Sequence, residues 1–201
     1  MRLIPWLLLS YLLGAIPTSW LVVRLVRGED LRRLGSGNLG ATNLSRTLGF
    51  RWAIPVGVFD LLKGLIPVAG FARLAGYDDP AHPVPLLLGG MAVIGHVFSV
   101  FVGFRGGKGV ATGAGIVLGV APLAFLAALA GWALVALTSG YISLASMAAA
   151  VVLPPAVYLL HPGLRRLVWI FALLAGLIVF FHRSNIRRLV AGTEHRIGHR
   201  T

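Results

Sequence analysis

The chain has 201 residues, of which 57% are hydrophobic and only 12% are charged, and its formal net charge is +12. A soluble domain usually carries about twice that charged fraction, so the composition excludes an ordinary soluble core and favours a protein that lies in a bilayer. In a soluble protein this net charge would indicate nucleic-acid binding. Here the basic residues lie between apolar stretches, so they either set membrane topology or bind anionic substrates and lipid head groups. The sequence contains no cysteine, which excludes disulfides, thiolate metal sites and cysteine nucleophiles.

Apolar stretches follow one another along the chain at residues 3–23, 53–75, 84–104, 110–138, 144–160 and 167–181. A helix needs roughly 20 residues to span a bilayer. The first stretch is interpreted as a retained span and not as a signal peptide, because no cleavage site followed by a soluble domain comes after it. We therefore predict one all-helical, polytopic integral membrane domain over residues 1–201.

The distribution of Lys and Arg predicts the orientation of the spans. Basic residues are concentrated after the first stretch, after the third stretch and in the C-terminal segment, whereas residues 76–83 are acidic. The basic residues of the C-terminal segment are Arg183, Arg187, Arg188, Arg196 and Arg200. We therefore expect these three basic segments and the C-terminus to be cytoplasmic and the N-terminus to lie outside.

The number of spans follows from this orientation. Residues 109–160 must cross the bilayer an odd number of times, and possible breaks at Ala121-Pro122 and Thr138-Ser139-Gly140 favour three crossings. The prediction is seven transmembrane helices, of which the one near residues 110–120 is short or broken. Such a helix is tolerated only where protein or a watery cavity covers its open backbone.

The first of three polar segments is Gly-Ser-Gly-Asn-Leu-Gly-Ala-Thr-Asn at residues 35–43, and Arg46 follows it. Its glycines allow positive φ angles and close approach to a ligand, and the Arg46 guanidinium can bind an oxyanion through two parallel hydrogen bonds. A polar connecting loop is the alternative, although such a loop does not require this density of paired amides. Glu29 and Asp30, which lie beside four arginines, are interpreted as part of a solvated loop.

The second polar segment contains His96 and the glycine-rich run Gly-Phe-Arg-Gly-Gly-Lys-Gly-Val-Ala-Thr at residues 103–112. Its glycine spacing is one residue short for a P-loop, and Gly109 stands where a P-loop has Ser or Thr, so no nucleotide site is predicted. A glycine-rich turn that carries a lysine and leads into a helix nevertheless offers N–H groups and positive charge to a phosphate. The chain has only two lysines, one of which is Lys108, against sixteen arginines. Arginine therefore supplies the positive charge that sets topology, and topology alone explains a lysine among these glycines poorly.

The third polar segment is His-Arg-Ser-Asn-Ile-Arg-Arg-Leu at residues 182–189, with Gly192 and Glu194 after it. His182 and Asn185 are three residues apart and would share one face of a helix. This arrangement favours a binding site, and a cytoplasmic basic tail is the alternative.

Asp60 and Lys63 lie three residues apart inside an apolar stretch, where ionisable side chains are functional by default. A mutual ion pair is an equally weighted alternative. Ser143 is a weak signal by itself. The sequence contains neither a His-x4-Asp acyltransferase motif nor a Gly-x-Ser-x-Gly elbow, and carboxylates near the polar segments are too few for a metal cluster. An enzyme of this sequence would work by binding, orientation and electrostatics.

Together and in this order, GSGNLGATN at residues 35–43, GHVFSVFVGFRGGKGVAT at 95–112 and HRSNIRRLVAGTE at 182–194 resemble three signature segments of the acyl-phosphate-dependent glycerol-3-phosphate acyltransferase family (PlsY). The resemblance covers the whole chain, including residues 60–64 and 141–144. It implies a seven-span enzyme of the bacterial inner membrane with its active site toward the cytoplasm. It also implies transfer of a fatty acyl group from acyl phosphate to the 1-hydroxyl of glycerol 3-phosphate. The products would be lysophosphatidic acid and inorganic phosphate, in the first acylation step of phospholipid biosynthesis, with no metal or other cofactor.

The resemblance also implies roles for individual residues. The catalytic residues it implies are Lys108, Arg46, His182 and Asn185. The substrate-binding residues it implies are Ser36, Gly37, Asn38, Asn43, Lys63, His96, Gly106, Gly107, Gly109, Thr112 and Ser143. Lys108 and the backbone of the surrounding glycines would form a phosphate cradle, with His96 as a polar support.

The proton of the attacking hydroxyl has two possible acceptors, His182 and a substrate phosphate. The phosphate is preferred, because no carboxylate is expected to orient a histidine in this sequence.

Two other functions fit parts of the pattern. A transporter for an organic phosphate would suit broken helices and basic cavities, although no repeated half is visible. A membrane protein that binds anionic lipids through a basic face is the other alternative. Membrane lipids are expected partners in each case, and nucleic acid is not.

Overall fold

The computed structural model describes residues 3–197. Over that range the chain forms helices joined by turns, which confirms the predicted all-helical fold. The α-helices are α1 (Ile4–Ala15), α2 (Thr18–Arg27), α3 (Ala41–Leu48), α4 (Phe50–Leu65), α5 (Ala72–Leu74), α6 (Pro83–Val97), α7 (Val110–Val120), α8 (Pro122–Ser139), α9 (Ile142–Leu160), α10 (Val168–Phe181) and α11 (Arg183–Val190). Short 3₁₀ turns occur at Leu31–Arg33, Val100–Val102 and Pro162–Leu167, and a π-helical stretch at Ile66–Phe71 joins α4 to α5. Arg200, which was assigned to the basic tail, lies outside the described residues.

Between residues 3 and 197, six helical runs are long and apolar enough to cross a membrane. They are Ile4–Arg27, Phe50–Leu74, Pro83–Val102, Pro122–Ser139, Ile142–Leu160 and Pro162–Phe181. The helix at Val110–Val120 is apolar but shorter, as expected for this part of the chain. Both predicted breaks are confirmed, because α8 begins at Pro122 directly after Ala121 and ends before Gly140, whose φ is 75°. The count of seven spans and the orientation of the termini stay predictions.

The first apolar stretch, predicted to be continuous over residues 3–23, is interrupted at Ile16-Pro17. The ring of Pro17 disfavours helical geometry at the preceding residue, and Ile16 has φ −55° and ψ 113°. The helix therefore ends at Ala15 and restarts at Thr18. This break frees the Ile16 carbonyl for a partner outside its own helix.

The helices pack into two compact units, one ending at Val120 and the other beginning at Ala121. In the first unit, glycines bring helix backbones into contact. A Cβ at Gly14 of α1 would overlap the carbonyl of Ala92 in α6, and a Cβ at Gly64 of α4 would overlap the carbonyl of Thr112 in α7. Close approach of this kind drives helix association in lipid, where burial of apolar surface contributes little.

An apolar cluster of the first unit supports the polar loops. Its buried members are Val23, Leu31, Leu39, Leu44, Val56 and Val102. These residues come from α2, from the first polar segment and its flanks, from α4 and from the turn before the glycine-rich run. The first and second polar segments therefore pack against the same apolar cluster.

In the second unit α9 packs against both α8 and α10. Trp132 of α8 donates from Nε1 to the hydroxyl of Ser146 in α9, over 3.4 Å. The prediction of a single integral domain over residues 1–201 stays a prediction.

Candidate active site

Asn43 organises the first polar segment. Its Oδ1 accepts from the backbone N–H of Ser36 at 2.9 Å, and its Nδ2 donates to the carbonyls of Leu34 and Asn38, both at 3.0 Å. The side chain is almost fully buried, and both of its amide hydrogens are used. Asn43 therefore holds the loop from inside.

Glycine is required at two positions of this loop. Gly35 and Gly37 have φ angles of 54° and 71°, in a region that residues with a Cβ rarely adopt. A Cβ at Gly35 would also collide with Oδ1 of Asn43. The loop thereby presents Ser36 at the surface, and Arg46 is exposed on α3.

The glycine-rich turn of the second segment packs on the end of α6. The N–H of Gly106 donates to the carbonyl of Val97 at 2.9 Å, and the N–H of Gly107 donates to the carbonyl of His96 at 3.0 Å. A Cβ at Gly107 would collide with Nε2 of the buried His96 ring. Two N–H groups of the expected phosphate cradle are therefore occupied by carbonyls.

Lys108 and Thr112 stand at the start of α7. Lys108 is partly buried immediately before α7, and Gly109 has a φ of 78°. The hydroxyl of Thr112, in the first turn of α7, is fully buried and makes no hydrogen bond within the described part of the chain. A buried hydroxyl without a partner is costly, which makes Thr112 a candidate for a ligand contact.

Asp60 and Lys63 form a buried ion pair in α4. The Lys63 ammonium lies 2.6 Å from Oδ1 of Asp60 and donates to the Ile16 carbonyl, also at 2.6 Å. Thr18 donates to the same Asp60 oxygen at 3.3 Å. The mutual ion pair that the sequence left as an alternative is therefore formed.

Asp30 and Arg32 lie just before the first polar segment, and Arg32 contacts the 3₁₀ turn that precedes the glycine-rich run. Asp30 accepts from the backbone N–H of Arg32 at 2.9 Å and from its guanidinium at 2.6 Å, and also from Nε1 of Trp20. Nη1 of Arg32 reaches the carbonyl of Val102 at 3.4 Å. The hydrogen bond from the Arg32 side chain lowers the pKa of Asp30 well below its ordinary range. Asp30 stays partly exposed beside the exposed Arg32, which agrees with its interpretation as part of a solvated loop.

In the second unit, Glu194 joins the residues of the third segment. Its Oε1 accepts from Nδ2 of Asn185 at 2.8 Å and from the hydroxyl of Ser143 at 3.1 Å, and its Oε2 lies 2.6 Å from Nε of Arg188. Burial alone would raise the pKa of Glu194, but the hydrogen bonds from Asn185, Arg188 and Ser143 outweigh burial and lower that pKa. Asn185 and Ser143 therefore share one ionised carboxylate.

His182 precedes α11 and is buried. Its Nδ1 lies 2.7 Å from the carbonyl of Ile178. Because a carbonyl only accepts, this contact assigns the proton of the neutral imidazole to Nδ1 and leaves Nε2 as an acceptor.

Comparisons with known proteins identify the family. A family model described as glycerol-3-phosphate acyltransferase matches residues 4–192. The chain belongs to the glycerol-3-phosphate acyltransferase family.

Individual relatives agree with this membership. A glycerol-3-phosphate acyltransferase of Trichlorobacter lovleyi is 46% identical over 95% of each chain, and one of Chlorobium phaeobacteroides is 38% identical over 98% of this chain and 97% of its own. A crystal structure of PlsY, an integral membrane glycerol 3-phosphate acyltransferase in its glycerol 3-phosphate form, superposes with a TM-score of 0.90. The two sequences are 35% identical, and the match covers 98% of this chain and 96% of the PlsY chain. The lysophosphatidic acid form of PlsY gives a TM-score of 0.86 at 34% identity, over the same shares of the two chains.

The structure of this acyltransferase places most of the expected site residues in two groups. In the first unit, Asn43 joins Ser36 and Asn38 in one loop, and His96 joins Gly106 and Gly107 in one turn. In the second unit, Ser143 and Asn185 meet on Glu194. The ammonium of Lys63 is held by Asp60 and by the carbonyl of Ile16, and its contact with substrate stays a prediction.

Three acidic residues of the acyltransferase were not assigned to its site from the sequence. They are Asp30, which accepts from Arg32, Asp60, which accepts from Lys63, and Glu194, which accepts from Asn185 of the third polar segment. Oδ1 of Asp60 lies 3.9 Å from Nδ1 of His96, whereas Nδ1 of His182 faces the carbonyl of Ile178. The sequence offered one signal for these three residues, which is that acidic residues are scarce, with only six in the chain.

Proposed function

We propose that this protein transfers a fatty acyl group from acyl phosphate to the 1-hydroxyl of sn-glycerol 3-phosphate. The products are 1-acyl-sn-glycerol 3-phosphate and inorganic phosphate, and the reaction is the first acylation of phospholipid biosynthesis. Membership of the acyltransferase family over nearly the whole chain carries this proposal. The two PlsY structures, described as glycerol 3-phosphate and lysophosphatidic acid forms, support the acceptor and the product.

The chemistry needs charge and orientation more than an enzyme nucleophile. The hydroxyl oxygen attacks the carbonyl carbon of acyl phosphate, a tetrahedral intermediate forms, and the bond between that carbon and the phosphate oxygen breaks. Phosphate leaves with the electron pair. Cations and N–H donors placed around the phosphate stabilise its departure, and polar donors stabilise the intermediate oxyanion.

The first unit supplies groups suited to phosphate. Lys108 brings a cation, the first turn of α7 brings unpaired N–H groups, and the buried Thr112 hydroxyl has no other partner among residues 3–197. Ser36 and Arg46 are exposed on or beside the loop that Asn43 organises. We assign these residues to the phosphate groups of the two substrates.

The second unit supplies groups suited to glycerol hydroxyls. Ser143 and Asn185 are fixed by Glu194, and each keeps further hydrogen-bonding capacity. We assign Ser143, Asn185 and His182 to glycerol 3-phosphate. A substrate phosphate accepts the hydroxyl proton, so His182 binds and orients the acceptor.

We place the protein in the bacterial inner membrane, with several spans and with the active site toward the cytoplasm. The sequence contains no cysteine, so a single introduced cysteine is a unique label. Cysteines at the exposed positions Ser36, Arg105 and Arg187 should react with an impermeant maleimide only after cytoplasmic access is opened. A cysteine at Asp79 should react from outside in intact cells. Labelling of Ser36 and Arg187 from opposite sides would overturn this topology.

The decisive experiment uses detergent-purified protein with acyl phosphate and glycerol 3-phosphate. Release of inorganic phosphate should require glycerol 3-phosphate, and mass spectrometry should detect lysophosphatidic acid in equal amount. Lys108→Ala should reduce this rate at least about a hundredfold. Arg73→Ala is the matched control, since it removes one positive charge at an exposed side chain and should leave the rate unchanged. Phosphate release without acylated product, or equal rates for both variants, would refute the proposal.

A further inference from the structure

The buried ion pair of α4 lies beside the histidine that supports the glycine-rich turn. Asp60 and Lys63 are about 2% and 1% exposed, and both belong to an apolar run long enough to span a membrane. Removing two charges from water costs several kcal/mol per ion. A well-packed apolar pair would often be equally stable or more stable, so their presence calls for a reason other than stability.

One oxygen of Asp60 has three neighbours. Oδ1 accepts from the Lys63 ammonium at 2.6 Å and from the Thr18 hydroxyl at 3.3 Å, and it lies 3.9 Å from Nδ1 of His96. The Lys63 ammonium is itself anchored on the Ile16 carbonyl, at the break between α1 and α2. The carboxylate is therefore held in place by two donors other than the histidine.

The opposite edge of the His96 ring supports the turn. Nε2 occupies the space in which a Cβ of residue 107 would stand, and the carbonyl of His96 accepts from the N–H of Gly107 at 3.0 Å. The carboxylate near Nδ1 favours the tautomer that carries its proton there. The ring thus has one edge toward a fixed anion and the other against the turn that carries Lys108.

We propose that Asp60 is a positioning residue for the phosphate-binding turn and acts on it through His96. This inference rests on the proposed function, because the turn is assigned to substrate phosphate. Lys63 and Thr18 hold the carboxylate by hydrogen bonds, and the carboxylate attracts the Nδ1 edge of the imidazole across 3.9 Å. The imidazole in turn fixes the position of Gly107 and Lys108. Lys63 accordingly serves the site through Asp60 and does not contact substrate.

The test replaces the ion pair by apolar residues of similar size, in Asp60→Leu/Lys63→Met. Removing both charges leaves no buried ion unpaired, so the variant should keep the size-exclusion profile and melting temperature of the wild type. Its kcat should fall less than that of Lys108→Ala, because the lysine is displaced and not removed, while the KM for one substrate should rise about tenfold or more, because small displacements of binding groups are costly. The substrate affected should be the one whose KM rises in Lys108→Arg. A purely structural ion pair predicts unchanged KM values, and that result would overturn the proposal.

The substitution His96→Leu provides a second test of the proposal. If Asp60 acts through His96, adding His96→Leu to the pair variant should raise the KM little further, since the two changes remove one effect. Full additivity would overturn the proposal. If the pair variant does not fold, Asp60→Asn is measured by the same KM criterion, because it keeps an oxygen for Lys63 and Thr18 and removes the charge that faces Nδ1. Absence of turnover in the wild type would instead refute the proposed function.

Discussion

Asn185 donates from Nδ2 to Oε1 of Glu194 over 2.8 Å, and the same oxygen accepts the hydroxyl of Ser143. These two bonds join the third polar segment to α9 within the second unit. The other oxygen of Glu194 accepts from Arg188, so the carboxylate is the common acceptor for three donors. The role proposed for Asn185 therefore depends on the charge of Glu194.

Glu194→Gln should destabilise the protein and lower its activity. The new amide can still accept from Asn185, but its NH₂ group faces the guanidinium of Arg188, and two donors repel each other. The loss should be roughly 2 kcal/mol, the range for hydrogen bonds to charged groups, and it should appear as a lower melting temperature in detergent. Glu29→Gln is the control, because the same change at an exposed carboxylate should have no effect. Equal melting temperatures for the two variants would contradict this expectation.

The stabilisation by Glu194 should disappear in acid. Its pKa in the folded protein is lowered, against the opposing effect of burial, by the donors around it. A lowered folded pKa means that the stabilisation is fully present above the ordinary carboxyl pKa and is lost as pH falls through the lowered value. The difference in melting temperature between the wild type and Glu194→Gln should therefore be constant from about pH 7 to pH 5.5 and shrink below about pH 4. A difference that grows on acidification would contradict the assignment.

Asn43→Asp should damage the first polar segment as much as Asn43→Ala does. In the wild type, the side chain of Asn43 donates one N–H bond each to the carbonyls of Leu34 and Asn38. Aspartate has the same shape, but it places a carboxylate oxygen against these two carbonyls and donates nothing. We expect a loss of roughly 2–3 kcal/mol in either variant, measured by thermal unfolding. Asn38→Asp is the control for stability, because its Oδ1 only accepts, from the N–H of Gly40, and aspartate accepts equally well. Greater stability of Asn43→Asp than of Asn43→Ala would show that the two donated bonds contribute little.

Gly64→Ala should separate α4 from α7. The added methyl group would overlap the backbone carbonyl of Thr112, which cannot move without shifting the helix that begins at the phosphate-binding turn. Both melting temperature and activity should fall. Gly57→Ala, in the same helix, is the control, because its methyl group would meet the Cβ of Ala41 at an ordinary 3.8 Å. That variant should match the wild type or gain up to about 1 kcal/mol from helix propensity.

The helices were predictable from the sequence because apolarity and Pro or Gly breaks are local signals. The ends of α7 and α8 followed from Ala121-Pro122 and Gly140 for this reason. The partners of Asp60 and Lys63 were not predictable, since Thr18 and the Ile16 carbonyl lie 42 and 47 residues away in the chain. Only packing reveals which polar groups share a buried position.

The partners of the acidic residues were not predictable for a related reason. Asp30 among arginines has the local pattern of a solvated loop, and only the structure shows that it accepts from Trp20, ten residues away, and from Arg32. The three motif segments were recognisable because their glycines and amides lie close together in sequence. The carboxylates that hold them stand outside the motifs or at their edges.

Substitutions of His182 should separate binding from proton transfer. With Nδ1 facing the Ile178 carbonyl, the ring presents Nε2 as an acceptor, which would suit either a base or a hydrogen-bond partner for a substrate hydroxyl. Glutamine preserves hydrogen bonding but is not a base at neutral pH. If a substrate phosphate takes the proton, His182→Gln should keep kcat within about tenfold of the wild type, whereas His182→Ala should lose about a hundredfold or more. The kcat profile of His182→Gln between pH 5.5 and 8 should parallel that of the wild type. Two results together would instead make His182 the base. Both variants would lose activity completely and equally, and the wild-type kcat would fall as a group with a histidine-like pKa becomes protonated.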